Sequence, residues 1–600
     1  MYKRNFQPKI ENNNLRSIIV LGLFILAFII IEIRLFSIQV INHPKYEKMA
    51  NEQHWNQQLL PASRGNIYTS DGHLLVGTEY NYLMYGEPNR IKDKVEFTSK
   101  LAEIIATIKA TPTSSKEELF SYYYNKYLPS ISKDLMWIGL EKTLTPIEKE
   151  DIEKNKLAGI GFEESPIRYY PENSLAGHIL GFVALNERGD KQGYFGIEGK
   201  FNEDLKGRPG RIIQEKDALG NPILAGGYKK DDSLAGRDIV LTINRTVQYL
   251  VEKKLKEGVQ KYGAVSGTVI VTDPATGEIL SMANFPTYSP GDFSIPENEF
   301  EPDADYRKTL EKINLAISQT YEPGSVIKPL TIAVGIDSGL MTPETTFEDN
   351  GPVWYYEYKI DNWDGKHYGT LNLIQLLQKS NNIGASWVGH QVGAKKLHDY
   401  FLDFGIGSLT GIALEGEDSG TIPDLKDWTD IGLANISFGQ GMSATPLQVL
   451  NAFNSLVNGG YLVEPKIISK VVDNERNLTL DIPTKLVRRV ISESTSKTMV
   501  EMLEQAASGG EAKYFVFKNY RVAGKTGTAQ IPVNGTYDPK KTNATFIGYL
   551  PGSKKFSMLV KLEEPHTSTY AAETAVPLWM DIATELIKYY GIPADKDVTQ

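Results

Sequence analysis

Three short strings in this 600-residue chain bring together side chains suited to acyl transfer: Ser325-Val-Ile-Lys328, Ser380-Asn-Asn382 and Lys525-Thr-Gly-Thr528. A serine hydroxyl is a poor nucleophile until a base removes its proton. A lysine one helical turn later can do so when burial or neighbouring cations lower its pKa. If Ser325 opens a helix after Pro323 and Gly324, the two side chains share a face and the helix N-terminus adds a favourable dipole. Ser380 and Asn382 offer a hydroxyl and an amide to relay the proton and bond a peptide backbone. Lys525 offers an ammonium to a substrate carboxylate, and Thr526, Gly527 and Thr528 continue a strand along which a substrate backbone can lie closely. The backbone N–H groups of Ser325 and Thr528 are the expected oxyanion donors, worth about 3 kcal/mol each.

Each string alone is weak, because the same serine-to-lysine spacing recurs at Ser130 with Lys133 and at Ser494 with Lys497. Such matches are mostly surface accidents. The serine-any-asparagine and Lys-Thr-Gly strings each occur once, and both follow Ser325 in order. Order and uniqueness together make the set specific.

The elements around these strings are legible. The β-branched runs 237–243 and 267–273 predict strands that open a sheet at Gly236, and the turn 273–277 predicts a hairpin with the strand after it. Helical periodicity covers Leu371 to Gly393, with Ser380 and Asn382 between helical segments. It also covers Thr445 to Asn458, where Thr445 and Pro446 suit the N-cap and first turn. A strand pair is predicted at Arg521–Ala529 and Thr545–Leu550. Upstream, Val95 to Ile108 reads as a helix with Phe97, Leu101, Ile104, Ile105 and Ile108 on one face.

With these motifs in place, the chain resembles the class B penicillin-binding proteins, whose motif trio it shares with the related β-lactamases. The likeness extends to Tyr-Glu-Pro-Gly-Ser before Lys328, Phe-Gly-Gln-Gly at 438–441, Thr-Pro-Leu-Gln at 445–448 and Ala-Gly-Lys-Thr-Gly-Thr-Ala-Gln at 523–530. Arg-Gly-Asn-Ile at 64–67, Arg-Tyr-Tyr-Pro at 168–171 and Gly-Ile-Glu at 196–198 resemble the family's non-catalytic pedestal domain. One departure is Tyr-Thr-Ser-Asp-Gly at 68–72, where the family often has Asp-Arg.

The resemblance implies an α+β fold. An antiparallel sheet flanked by helices forms the transpeptidase domain, which stands on an elongated pedestal behind one transmembrane helix. It implies a peptidoglycan D,D-transpeptidase acting through a Ser325 acyl-enzyme, with stem peptides ending in D-Ala-D-Ala as substrates, β-lactams as covalent ligands, and no metal or organic cofactor. It also implies a SEDS glycosyltransferase and divisome or elongasome proteins as partners. Asn382 and Thr526 favour the septal branch. A D-alanine carboxypeptidase, a β-lactamase or β-lactam sensor, and an idle scaffold are the competing readings. The long pedestal and the lack of a Glu-x-x-Leu-Asn string argue against a β-lactamase.

Bulk properties frame this reading. The net charge of −10 and the lack of a clustered basic field argue against nucleic acid as partner. The absence of cysteine excludes disulfides and thiolate catalysis. Residues 17–40 form an apolar span, and Lys3, Arg4, Lys9 and Arg16 before it place the N-terminus in the cytoplasm by the positive-inside rule. The bulky, charged stretch from Glu32 to Val40 is unlike a signal-peptide cleavage site. The expected organisation is a cytoplasmic tail at 1–16, an anchor at 17–40, a pedestal at 41–235, a transpeptidase domain at 236–590 and a tail at 591–600, everything after the anchor being extracytoplasmic.

Overall fold

A computed structural model describes residues 13–112, 114–215, 223, 227–292, 310–533 and 536–596. The N-terminal basic residues Lys3, Arg4 and Lys9 and the last residues of the C-terminal tail lie outside them. The chain packs as two compact units, one of residues 1–62 with 208–234, the other of 63–207 with 235–600.

In the smaller unit, the helix Asn13–Phe36 runs on through Ser37–Ile41. Leu15–Ile41 is 27 residues long and apolar enough to cross a membrane. At 1.5 Å per residue it reaches about 40 Å, more than the roughly 30 Å hydrocarbon core requires. A three-stranded antiparallel sheet follows, with Gly210–Glu215 between Trp55–Leu60 and Tyr228–Asp231.

The larger unit contains two main sheets. The first is antiparallel with five strands in the order Ile279–Phe285, Ser266–Thr272, Ser557–Glu563, Thr536–Tyr549 and Ala523–Val533. Strand alternation divides its side chains between two cores. Val269, Val271, Phe546, Met558 and Val560 pack with Trp579 and Leu586 of the helix Ala575–Tyr590 and Val251 of Arg245–Tyr262. On the other face Ile270, Ile547 and Leu559 join the helical core that includes Leu330 and Leu450. The sheet is thus covered on both sides, and Ala523–Val533 is left as an edge strand.

The predicted strand at 237–243 forms over Asp238–Leu241 but belongs to the other sheet, pairing parallel with Ile67–Tyr68 and antiparallel with Ile468–Asp473. Composition selects an extended backbone but not its partner, so this run does not open the sheet that begins at Ser266. The predicted hairpin and the predicted pair near the C-terminus both form. The upstream helix spans Lys94–Lys109, capped by Asp93, with Phe97, Leu101 and Ile105 buried and Ile104 and Ile108 packed beside them.

The three pedestal strings meet at one carboxylate. Glu198 is fully buried, with Arg64 Nε at 2.6 Å and Arg168 Nε at 2.5 Å. The departing string 68–72 also has a structural task, since Ser70 N donates to Ile243 O and Asp71 Oδ1 accepts from Arg245 N at the start of the helix Arg245–Tyr262.

Candidate active site

Ser325 sits in a short 3₁₀ turn, Gly324–Val326, and Lys328 is the first residue of the α-helix that runs to Asp337. The serine therefore precedes the helix by a tight turn rather than beginning it. Two close approaches without side chains hold that turn. Gly324 N donates to Gly439 O at 2.9 Å, and a Cβ on Gly439 would stand 2.2 Å from Gly324 O, which explains a glycine in the Phe-Gly-Gln-Gly string. A Cβ on Gly527 would stand 2.9 Å from Val326 Cγ1 and 3.1 Å from Pro323 O. The close approach that Gly527 permits in this structure is that of the nucleophile turn.

The helical periodicity of 371–393 breaks into Leu373–Lys379 and Asn382–Val392, with Ser380 between them in left-handed backbone at φ 54°. This break turns the Ser380 hydroxyl between two lysines. Lys525 Nζ donates to Ser380 Oγ at 3.0 Å, and Lys328 Nζ lies 3.3 Å from the same oxygen. Lys328 Nζ also donates to Ser380 O at 2.5 Å and to Asn382 Oδ1 at 2.8 Å. The Asn382 amide is completed by donation from Nδ2 to Asp361 O at 3.0 Å.

Both ammonium groups are buried. Burial, reinforced by the Lys525 charge, holds Lys328 well below the ordinary lysine range, with Glu511 opposing the shift. Lys525 is lowered by burial as well, again opposed by Glu511. A neutral amine at Lys328 is the chemical requirement for a base that serves the serine. By contrast, Lys497 is exposed and paired with Glu493, and Lys133 is exposed at a helix end, so those two spacing matches are surface features.

Ser325, half-buried, opens onto a cavity of about 680 Å³ that Ser380, Asn382, Thr526 and Thr528 also line. The Thr526 hydroxyl is occupied, since it accepts from Lys525 Nζ at 3.1 Å and donates to Glu511 Oε2 at 2.6 Å. Thr528 Oγ1 accepts from Ala571 N at 3.1 Å, and its own proton is not used in that contact. Trp363 and Tyr570 meet edge to face at 5.5 Å, and both line the cavity.

Sequence reasoning missed two carboxylates. Fully buried Asp349 accepts through Oδ2 from Asn381 Nδ2 at 2.7 Å, Asn362 Nδ2 at 3.0 Å and Tyr368 N at 3.1 Å, fixing the loop that presents Ser380 and Asn382. Glu511, in the turn Glu511–Tyr514, borders the cavity beside Thr526. Neither lies in a string of its own, so only the folded chain reveals them.

A serine on a turn before a buried lysine, a second serine bridging two lysines, and an open edge strand form an arrangement suited to serine acyl transfer, the chemistry that the sequence resemblance implied. Residues 267–584 match the penicillin binding protein transpeptidase domain, and residues 59–241 match the penicillin-binding protein dimerisation domain. The chain belongs to the penicillin-binding protein family, with the two-domain architecture of class B. It is 28% identical to stage V sporulation protein D of Bacillus subtilis over 97% of this chain and 87% of that one. It is 32% identical to peptidoglycan D,D-transpeptidase FtsI of Escherichia coli over 76% of this chain and 73% of that one. Among solved structures, a peptidoglycan synthetase from Bifidobacterium adolescentis superposes with a TM-score of 0.70 at 25% identity, covering 91% of this chain and 98% of the other.

Proposed function

We propose that this protein is a membrane-anchored peptidoglycan D,D-transpeptidase in which Ser325 is the nucleophile and Lys328 its base. The observation that carries the reading is the Ser380 hydroxyl, placed between the buried amines of Lys328 and Lys525. A donor stem peptide lies along the edge strand Ala523–Val533, using its outward backbone groups as an added strand would. Thr528 faces its terminal carboxylate, and the buried Lys525 ammonium, whose contacts run to Ser380 and Thr526, lends its charge from behind. Lys328 takes the hydroxyl proton as Ser325 Oγ bonds to the carbonyl carbon of the penultimate D-alanine. The backbone N–H groups of Ser325 and Thr528 hold the oxyanion.

Collapse of the tetrahedral intermediate breaks the carbon–nitrogen bond to the terminal D-alanine, whose amine takes the proton through Lys328 and Ser380. An acceptor amine then attacks the ester, its proton passes to Ser325 Oγ, and the cross-link leaves. β-Lactams enter the same first step and remain as esters. Asn382 holds Lys328, and Thr526 holds Lys525. No metal or organic cofactor takes part in this scheme.

On this reading residues 1–16 lie in the cytoplasm, 17–40 form the anchor, 41–235 the pedestal and 236–590 the extracytoplasmic transpeptidase domain. The anchor and pedestal dock a SEDS glycosyltransferase and other division or elongation proteins, with a septal role favoured by Asn382 and Thr526. The deciding experiment labels the full chain with fluorescent penicillin beside Ser325→Ala. Labelling in the wild type alone is expected, and equal labelling of both, or of neither, overturns the assignment. A stem peptide supplied with and without an acceptor amine then separates cross-linking from simple hydrolysis.

A further inference from the structure

Glu511 is a carboxylate at the wall of a cavity whose proposed substrate carries a carboxylate of its own. That placement needs a reason, because like charges in one site oppose binding. Its contacts supply one. Glu511 Oε2 accepts from Thr526 Oγ1 at 2.6 Å, and Thr526 Oγ1 accepts from Lys525 Nζ at 3.1 Å. Lys525 Nζ donates on to Thr526 O at 3.0 Å and Ser380 Oγ at 3.0 Å. The Thr526 hydroxyl has a single proton, and Glu511 takes it. Its lone pairs are therefore turned toward Lys525, whereas an unanchored hydroxyl could rotate its proton toward the ammonium and cease to accept from it.

We propose that Glu511 is a positioning residue of this site, fixing the Thr526 hydroxyl as an acceptor so that the Lys525 ammonium is held on Ser380 Oγ. The inference rests on the transpeptidase reading above. The electrostatics of the cluster agree with the geometry. Lys328 and Lys525 are both buried and repel each other through one hydroxyl, and Glu511 favours the charged form of each. Burial and the Lys525 charge both lower Lys328, burial lowers Lys525, and Glu511 opposes the shift at each. The other groups around Glu511 do not replace it. Tyr368, which feels its charge, donates to Asp364, and Lys513 of the same short turn lies over the Tyr514 ring.

The test is the rate of acylation of the full chain in detergent by fluorescent penicillin between pH 5 and 10, for wild type, Glu511→Gln and Glu511→Asp. The wild type is expected to give a bell, its acid limb set by deprotonation of the Lys328–Lys525 pair and its alkaline limb by loss of the remaining charge. In E511Q both limbs move to lower pH by about one unit, because a carboxylate that favoured both ammonium forms is gone. E511D moves the limbs back toward wild type. A rate or thermal midpoint that falls in E511Q while both limbs stay in place overturns the inference, since a merely structural glutamate would act in that way. An E511Q chain too unstable to assay leaves Glu511→Ala to decide, which also removes the carboxylate and should move both limbs to lower pH, and unmoved limbs there count against the proposal. A wild type that never acylates overturns the transpeptidase reading and this inference with it, whereas a wild-type bell with unmoved mutant limbs overturns this inference alone.

Discussion

Ser380 adopts a left-handed conformation, φ 54° and ψ 41°, that costs a residue with a side chain about 1–2 kcal/mol. The same conformation lets its hydroxyl bridge Lys328 and Lys525. Ser380→Ala and Ser380→Gly both remove the hydroxyl, but only glycine relieves the backbone. S380G is expected to melt above S380A by the equivalent of about 1 kcal/mol, while both acylate far more slowly than wild type. Paired thermal melts and penicillin labelling check this, and equal melting temperatures would show that the turn carries no strain. Lys328→Met removes the proposed base and should slow acylation on the order of 10²–10⁴-fold. The sign of its pH effect follows from the lowered pKa of Lys328. Between that folded value and the ordinary 10.5 the unfolded chain binds more protons, so the buried amine destabilises most at lower pH and is relieved as pH rises. Wild type should therefore gain stability relative to K328M as pH climbs from 6 to 10, which denaturant melts at several pH values can measure. The serines and lysines of the site could be found by eye because each sits in a short, ordered string. Asp349 and Glu511 could not, because Asp349 meets Asn381 across 32 positions and Glu511 meets Thr526 across 15, through folds that no local spacing encodes.

Elements show the same division between local and distant information. The helix Pro446–Val457 was legible because its start is local, with Thr445 and Gln448 closing a reciprocal capping box. The partner of Asp238–Leu241 was not, since strand composition fixes conformation and burial but leaves pairing to the tertiary fold. The pedestal strings lie between these cases. Arg64, Arg168 and Glu198 are separated by up to 134 positions, yet they close on one buried ion triad. Removing the central carboxylate leaves two guanidinium groups without their shared counter-charge. Glu198→Gln should accordingly destabilise by about 3–5 kcal/mol, because an unpaired buried charge costs more than the pair gained. Limited proteolysis is expected to cut the pedestal of E198Q first, and wild-type resistance there would show that the triad is dispensable.

At the scale of the whole molecule, the anchor and the smaller folded sheet belong to one compact unit, so where the chain is cut decides what is learned. The apolar span ends at Ile41, whereas Trp55–Leu60 pairs with Gly210–Glu215 through six registered residues. A chain beginning after Ile41 loses the span and keeps that strand. It is expected to leave the membrane fraction, stay soluble and label with penicillin at the wild-type rate. A chain beginning after Leu60 loses the strand too and exposes one edge of Gly210–Glu215, an open row of backbone donors and acceptors that invites association between chains. That longer deletion should aggregate while the shorter one stays soluble, and ultracentrifugation of the two distinguishes them. If the shorter deletion also aggregates or loses labelling, the span Leu15–Ile41 that it removes does more than hold the chain at the membrane, and folding or labelling depends on it.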